Sequence, residues 1–325
     1  MVCKYTFKSD LFKIMEPFAS LEYKPGRKRK FNNEGNYSEE IQLVKEKFES
    51  IMSDKMNNIF SNNFESCEKE DNNLSARLVS KSHFETIGKN TSTFSGRNEN
   101  DFSIVVEIFN EKYLIPAKSK FYCCNVFDLR SKLHDDAKFD VIVLDPPWWN
   151  KYIRRKRKKV EKEGYKMMFN DDISKIPVGD LLQNNGLVAM WCTNSANHLK
   201  SVKEEIFPSW GISYLSSWFW VKVTRGGETV CQFSQPSKKQ PYERIVFGSV
   251  ADRHQSLPSP EDNKLIISVP SAVHSHKPPL VDVLSNYLPV SPVCLELFAR
   301  YLLPSWTSCG DQVLSLQSLN LYEAC

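Results

Sequence analysis

Asp145-Pro146-Pro147-Trp148 puts a carboxylate, two residues without a main-chain N–H and an indole directly after the apolar run Val141-Ile142-Val143-Leu144. This set suits attack by an amino nitrogen conjugated to a ring. The lone pair of such a nitrogen is delocalised, so the group must be held while the nitrogen pyramidalises and gains positive charge. The Asp145 carboxylate and the Pro146 carbonyl can each accept one N–H and stabilise that charge as it develops. Trp148 can stack on the ring and fix its tilt. No general base of raised pKa is needed beforehand, because the proton becomes acidic only after the bond forms. The plainer alternative is a strand, a Pro-Pro turn and a packing Trp.

The elements that must hold these residues follow from the pattern around them. Four apolar residues in a row read as a buried parallel strand. Pro146 keeps Asp145 extended, and the two prolines cannot continue a ladder, so the strand ends at Asp145. In an open α/β sheet that end faces the ligand crevice. Segments 103–109 and 112–116 read as a hairpin about Asn110-Glu111. Apolar strands recur at 121–126, 141–144, 187–192, 214–223, 245–247, 265–269 and 295–298, with helical spacing over 176–183, 195–207 and 279–288. Such alternation predicts an α/β fold: a mainly parallel sheet with helices on both faces and late antiparallel strands.

Further blocks extend the pattern: Gly186-Leu-Val-Ala-Met-Trp191-Cys-Thr193-Asn194, Trp218-Phe-Trp220-Val-Lys222-Val, Lys239-Gln-Pro241-Tyr242-Glu243, His274-Ser-His276-Lys277-Pro278-Pro279-Leu280 and Leu295-Glu296-Leu297-Phe298-Ala299-Arg300. With the Asp-Pro-Pro-Trp segment, they resemble the adenine-N6 methyltransferases of the MT-A seventy family over about residues 119 to 320, in the right order. The His-Ser-His-Lys-Pro-Pro block and the tail Pro304-Ser-Trp306-Thr-Ser-Cys-Gly310-Asp311 are most similar to its methyltransferase-like four subgroup. The resemblance implies a Rossmann-like fold with permuted motif order, catalytic residues first and cofactor residues last. It implies S-adenosylmethionine as cofactor, which has no pyrophosphate and so needs no full glycine-rich loop.

Carried over by resemblance, Arg300 and the segment from Tyr301 line the ribose and methionine side, and Asp311 and Gln312 hydrogen-bond the ribose or nearby polar atoms. Lys277 pairs with the cofactor carboxylate through charge-assisted hydrogen bonds. The family's Asp-Ile adenine contacts align with Asn125-Val126, where the Asn carbonyl can still accept from the adenine amino group. A His-Asn pair that follows the arginine in the messenger-RNA writers is replaced by Tyr301-Leu302-Leu303, so its contacts are not carried over. Glu243 reads either as a carboxylate organising the pocket or as a salt-bridge partner of Arg244 or a nearby lysine. His274 and His276, with Asp282 near, lack a third ligand of metal-site spacing, so no metal is expected.

Lys151-Tyr152-Ile153-Arg154-Arg155-Lys156-Arg157-Lys158-Lys159 follows the catalytic segment, and Asn150 is expected to steady the loop. The family has a gate loop beside the target base here, so Lys151, Arg154, Arg155, Lys156 and Arg157 are expected to contact phosphates, with Tyr152 and Tyr165 adding stacking. Gly26-Arg27-Lys28-Arg29-Lys30 is the better import signal, and a nucleus-located protein, with the cytoplasm as second compartment, is expected. The subgroup implies an internal 2′-O-methylated adenosine of a spliceosomal small nuclear RNA of U2 type. DNA adenine is the alternative, and a non-catalytic RNA-binding subunit of the same fold is an alternative of another class.

The whole chain is compatible with this. Its 325 residues, 41% hydrophobic, can build one large domain with an appendage, and a formal charge of +4 says little about partners until the charges are located. Nine cysteines without a C-x-x-C pair fit reduced thiols rather than a disulfide framework or zinc ribbon. No apolar run approaches membrane-spanning length, and a protein partner is not required, so a monomer is expected. Residues 1–95 read as an Asn/Ser-rich extension with one amphipathic helix, 38–60, docking through Ile41, Val44, Phe48, Ile51 and Ile59. Residues 96–325 read as the methyltransferase domain.

Overall fold

The structure is a computed structural model that describes residues 4–18, 34–54, 78, 93–149, 167–234, 239–250, 257–273 and 275–324. The strands in chain order are β1 Tyr5–Phe7, β2 Phe94–Arg97, β3 Ile104–Ile108, β4 Glu111–Ile115, β5 Lys120–Cys123, β6 Phe139–Leu144 and β7 Leu182–Cys192. They continue with β8 Ser213–Lys222, β9 Tyr242–Ser249, β10 Leu265–Ser268, β11 Cys294–Leu297, β12 Trp306–Cys309 and β13 Tyr322–Ala324. The helices are α1 Glu34–Asp54, α2 Asn170–Ser174, α3 Val178–Leu181, α4 Ala196–Ser201, α5 Phe207–Ser209 and α6 Val281–Leu284.

Nine strands form one sheet in the order β10-β8-β9-β7-β6-β11-β12-β5-β2. Neighbours from β7 to β5 pair in parallel, while β9 and β2 run against them. The mainly parallel α/β sheet is therefore as expected. The permuted order is visible in the topology: β11 and β12, late in the chain, insert between β6 and β5. The loops that leave β5, β12, β11, β6 and β7 thus emerge side by side on one edge.

Strand β6 explains why the sheet forms at this place. Val141 and Val143 pack with Trp191, Trp218, Trp220, Leu280 and Leu284 on one face, and Ile142 and Leu144 with Ile173, Val178, Val202, Ile206 and Phe207 on the other. A strand covered on both faces needs a continuous apolar run, which β6 supplies. Each fully buried aliphatic side chain contributes about 1.5–3 kcal/mol.

Several expected boundaries differ. The helix expected over 176–183 is helical only at α3, since Leu182 and Gln183 belong to β7 and Leu182 pairs with Phe139. Sheet pairing and burial override helical periodicity there. The helix expected over 195–207 is α4 followed by a π-helical turn at Val202–Ile206. Pro208, just beyond, has no N–H for the regular ladder. The third, 279–288, is α6 followed by a 3₁₀ turn at Ser285–Tyr287. Sequence patterning missed the short strands β1, β2, β12 and β13.

Helix α1 begins before residue 38, and residues 55–60 lie outside the described ones. Ile41, Val44 and Phe48 pack on Phe219, Val221, Val223 and Tyr242. Farther upstream, β1 pairs antiparallel with β13, and Leu11 is buried with Val273, Tyr301 and Leu316. Among the described residues no helix is long and apolar enough to cross a membrane.

Candidate active site

The strand-ending geometry of β6 puts Asp145 where its neighbours deliver charge. Lys277 Nζ lies 3.5 Å from Asp145 Oδ2 and also holds Glu243 Oε2, while Lys222 holds Glu243 Oε1. Alternation along β8 and β9 creates this meeting: Trp220 is opposite Glu243, and Lys222 leaves the same face two residues on. Lys277 Nζ sits 5.1 Å above the Trp191 ring. Two carboxylates and two ammonium groups so form a balanced cluster.

The charges tune one another. Burial raises the Asp145 carboxyl above its ordinary range, opposed by Lys277. Burial acts the same way on Glu243, but Lys277 and Lys222 outweigh it and hold this carboxyl well below the usual carboxylate range. For Lys277 burial opposes the charge, and Asp145 and Glu243 outweigh it, so the ammonium is held strongly. Glu296, on the strand beside β6, is pushed up to about 8 by burial and then by Asp145. Its Oε2 has no hydrogen-bond partner among the described residues.

The loop after Asp145 is pinned at its root. The Asp145 N–H donates to Leu297 O at 3.5 Å, Trp149 N–H to Met168 O at 2.9 Å, and Met168 N–H back to Pro147 O at 2.9 Å. Pro146 O accepts from Trp148 N–H at 2.8 Å, and a carbonyl has a second lone pair for another donor. Trp148 requires a correction. It is only 6% exposed, its indole N–H donates to Trp191 O at 2.9 Å, and His198 stacks on it at 4.9 Å. With one face covered and the ring in the core, it braces the loop instead of offering a platform to a base. A more accessible aromatic pair here is half-buried Trp149 stacked on Phe169 at 5.5 Å, with Phe169 56% exposed.

Two residues beyond Asp145, which is itself outside the lining, Pro147 lines a cavity of about 270 Å³ together with Asn125, Val126, Arg300, Asp311 and Gln312. Asn125 caps the turn after β5, its Oδ1 accepting from Phe127 N–H at 3.2 Å, and Arg300 Nη2 donates to Gln312 Oε1 at 2.8 Å. Phe298 takes φ +61, the conformation glycine usually serves in such loops. Gly310 lies so close to it that a Cβ would stand 2.9 Å from Ala299 O. The lining offers amides, a carboxylate and a guanidinium, and this donor and acceptor set fits S-adenosylmethionine, with its adenine, ribose and amino-acid tail.

Tyr301 does not line this cavity, which corrects the expectation for it. It is 5% exposed, packs with Leu11 and Leu316, and donates its hydroxyl to Lys277 O at 3.1 Å, supporting the lysine from behind. Lys277 likewise lies outside the lining, on the two carboxylates. Glu243 pairs with lysines, whereas Arg244 turns to Glu40 on α1. Asn150, Lys151, Arg154, Arg155, Lys156 and Arg157, with Tyr152, Tyr165 and His274, lie outside the described residues. Among the described residues no cluster of three His, Cys, Asp or Glu could hold a metal ion. Lys222 and His198 were not foreseen. For Lys222 the signal was its spacing from Trp220 on a strand; His198 carried none.

The model of the MT-A70 family matches residues 139–312, from the start of β6 to Gln312. The human N(6)-adenine-specific methyltransferase METTL4 is 39% identical, over 70% of this chain and 48% of its own length. The Caenorhabditis elegans DNA N6-methyl methyltransferase is 36% identical over 65% of this chain and 56% of its own, and the Pyricularia oryzae N6-methyladenosine RNA methyltransferase MTA1 33% identical over 63% and 55%. The chain thus spans about half the length of the curated relatives it matches. The matched segment holds Asp145, Glu243, Lys277 and Arg300, on the strands and loops of a Rossmann-like methyltransferase sheet, and the chain belongs to the MT-A70 family.

Proposed function

We propose that this protein transfers a methyl group from S-adenosylmethionine to the N6 amino group of adenosine in RNA. The observation that carries the reading is the continuity of acceptor and cavity. Asp145 ends β6 in a charge cluster with Lys277, and Pro147, two residues on, lines the cavity. When bound, the cofactor supplies an electrophilic methyl group on a sulfonium. Asn125, Val126, Arg300, Asp311 and Gln312 would hold it.

The chain's own residues do the rest. Asp145 accepts one N–H of the amino group and the free lone pair of Pro146 O accepts the other, which orients the nitrogen lone pair toward the cavity. Positive charge that develops on nitrogen meets a carboxylate already in place, so no reorganisation is needed at that moment. Its raised pKa makes Asp145 a better resting place for the released proton than a free aspartate. Lys277 limits that rise, while the Glu243 carboxylate beside it adds to it. Nitrogen, methyl and sulfur must lie in line, so much of the rate comes from positioning.

The finer reading is an internal 2′-O-methyladenosine of a U2-type small nuclear RNA, methylated in the nucleus, with the basic run at 151–159 on the backbone phosphates. The base must leave its stack to reach Asp145, which costs least in single strands and loops. Adenine in DNA is the second reading, supported by the nematode relative's activity as its name states it. Matched RNA and DNA oligonucleotides, with and without the 2′-O-methyl group, should be methylated in parallel and the nucleosides identified by mass spectrometry. N6-methylated 2′-O-methyladenosine as main product supports the first reading. Product in DNA alone replaces it with the second.

A further inference from the structure

We propose that helix α1 sets the position of the Asp145–Trp148 loop through a relay of contacts running Glu40, Arg244, Thr193, His198 and Trp148, so that Glu40 is a positioning residue for methyl transfer. The kinetic consequence rests on the function proposed above; the structural consequence does not.

The relay starts from a buried charge. Arg244 is 1% exposed on β9, one residue after Glu243, so its side chain leaves the opposite face of the sheet. A guanidinium at that depth is costly unless it is paired. Its partner comes from outside the sheet: Arg244 Nη2 donates to Glu40 Oε2, and the Tyr242 hydroxyl donates to Glu40 Oε1 at 2.9 Å. Ile41, Val44 and Phe48 of α1 seat this carboxylate by packing on Phe219, Val221 and Tyr242.

From Arg244 the contacts reach the exit of β7. Its Nη1 donates to Thr193 O at 3.4 Å, and Asn194 Nδ2 adds a strap to Tyr242 O at 2.7 Å. Thr193 Oγ1 accepts from Ser195 N–H at 3.3 Å and lies 2.6 Å from His198 Nδ1. Burial holds His198 below its ordinary range, which leaves a ring nitrogen free to accept the threonine hydroxyl. The imidazole then lies nearly parallel on Trp148, at 4.9 Å and 21°. Trp148 is held from its edge as well, by Trp191 O.

The far end of this relay is the loop that carries the acceptor, and none of Glu40, Arg244, Thr193 or His198 lines the cofactor cavity. Turnover should respond more than cofactor affinity, because Pro147 is the loop's one residue in the cavity lining and the rest of the lining lies off the relay. A role confined to general stability would move neither selectively.

The test uses the full chain with Glu40→Gln, Thr193→Val and the double variant. Glu40→Gln keeps an acceptor but removes the charge. Thr193→Val keeps the branched shape and leaves the Glu40–Arg244 pair intact, so it remains informative where Glu40→Gln fails to fold. Hydrogen exchange is read at the Trp148 and Trp149 amides, both hydrogen-bonded here, together with kcat and the S-adenosylmethionine Kd. Each single variant is expected to speed exchange at those amides and lower kcat by about two- to thirtyfold, with Kd within about twofold. The double variant is expected to fall short of the product of the singles. Unchanged exchange at 148 and 149 in the folded variants, or fully multiplicative effects, would overturn the relay. A wild-type protein that methylates no adenine would remove the proposed function, and the exchange measurement would still decide the relay.

Discussion

Lys277 Nζ stands 3.5 Å from Asp145 Oδ2 while it also holds Glu243, so the acceptor carboxylate is one corner of a cluster whose charges balance. The arrangement reconciles two demands. Under the proposed function Asp145 must stay ionised to receive an amino group, and it must not be locked so firmly that it cannot turn to the substrate. Sharing Lys277 with Glu243 does both.

Removing the shared carboxylate should therefore harm both fold and chemistry. Glu243→Gln leaves Lys222 and Lys277 side by side without their common partner. We expect a loss of about 1–3 kcal/mol in urea unfolding, between the values for exposed and for buried pairs because Glu243 is partly exposed. The sign with pH follows. Glu243 is held below its unfolded value, so its contribution is present above about pH 4.5 and is lost as pH falls through the folded pKa. The variant should lack that part of the acid decline, and an identical decline in both proteins would contradict the cluster.

His276 gives a second pH signature. Burial lowers its pKa to about 4, and its neighbours are the rings of Phe7, Phe12 and Tyr301. A histidine depressed in the folded state stabilises fully above its unfolded pKa, near 6.5, and that stability is lost as pH falls toward 4. The linkage is worth up to about 3 kcal/mol. His276→Phe should flatten the stability curve between pH 6.5 and 4 in denaturant titrations. A slope equal to wild type would mean His276 does not titrate in this setting.

Much of this was legible in the sequence, and the remainder fails for definite reasons. The strand at 141–144 and its stop at Asp145 need only an apolar run and two prolines, both local facts. Asn125, Arg300, Asp311 and Gln312, grouped by resemblance to the family's motif blocks, line one cavity. Trp148 could not be oriented from its own segment, because His198 and Trp191, which fix it, come from other elements. Leu182 read as helical since its spacing matched, and only the pairing with Phe139 reveals a strand. Glu40 carried no signal of its own in the sequence, because its buried partner Arg244 lies 204 residues away.

Gly310 should matter to the cofactor more than to the substrate. An added Cβ would meet Ala299 O at 2.9 Å, which is main chain and cannot swing aside. Gly310→Ala should displace the loop carrying Arg300 and weaken S-adenosylmethionine binding by about tenfold, equivalent to about 1.4 kcal/mol. Calorimetric titration of the folded variant checks this, and an unchanged Kd would show that the loop's path does not set the cavity.

The basic run makes a separate prediction. Neutralising Arg154, Arg155, Lys156, Arg157, Lys158 and Lys159 together should weaken RNA binding and flatten its dependence on salt, by about 0.7 in log–log slope for each single-strand phosphate that is no longer neutralised. Cofactor affinity should stay near wild type. Binding across a salt series decides it, and an unaltered slope would remove phosphate binding from this segment.

The central claim is that Asp145 receives the adenine amino group. Its most direct test is single-turnover methyl transfer by purified Asp145→Asn beside wild type, on the same adenosine-containing RNA and with saturating S-adenosylmethionine. Loss of about a hundredfold or more in rate is expected, the scale for removing one preorganised electrostatic partner, with thermal unfolding little changed. A rate within a few-fold of wild type from the folded variant would contradict the account.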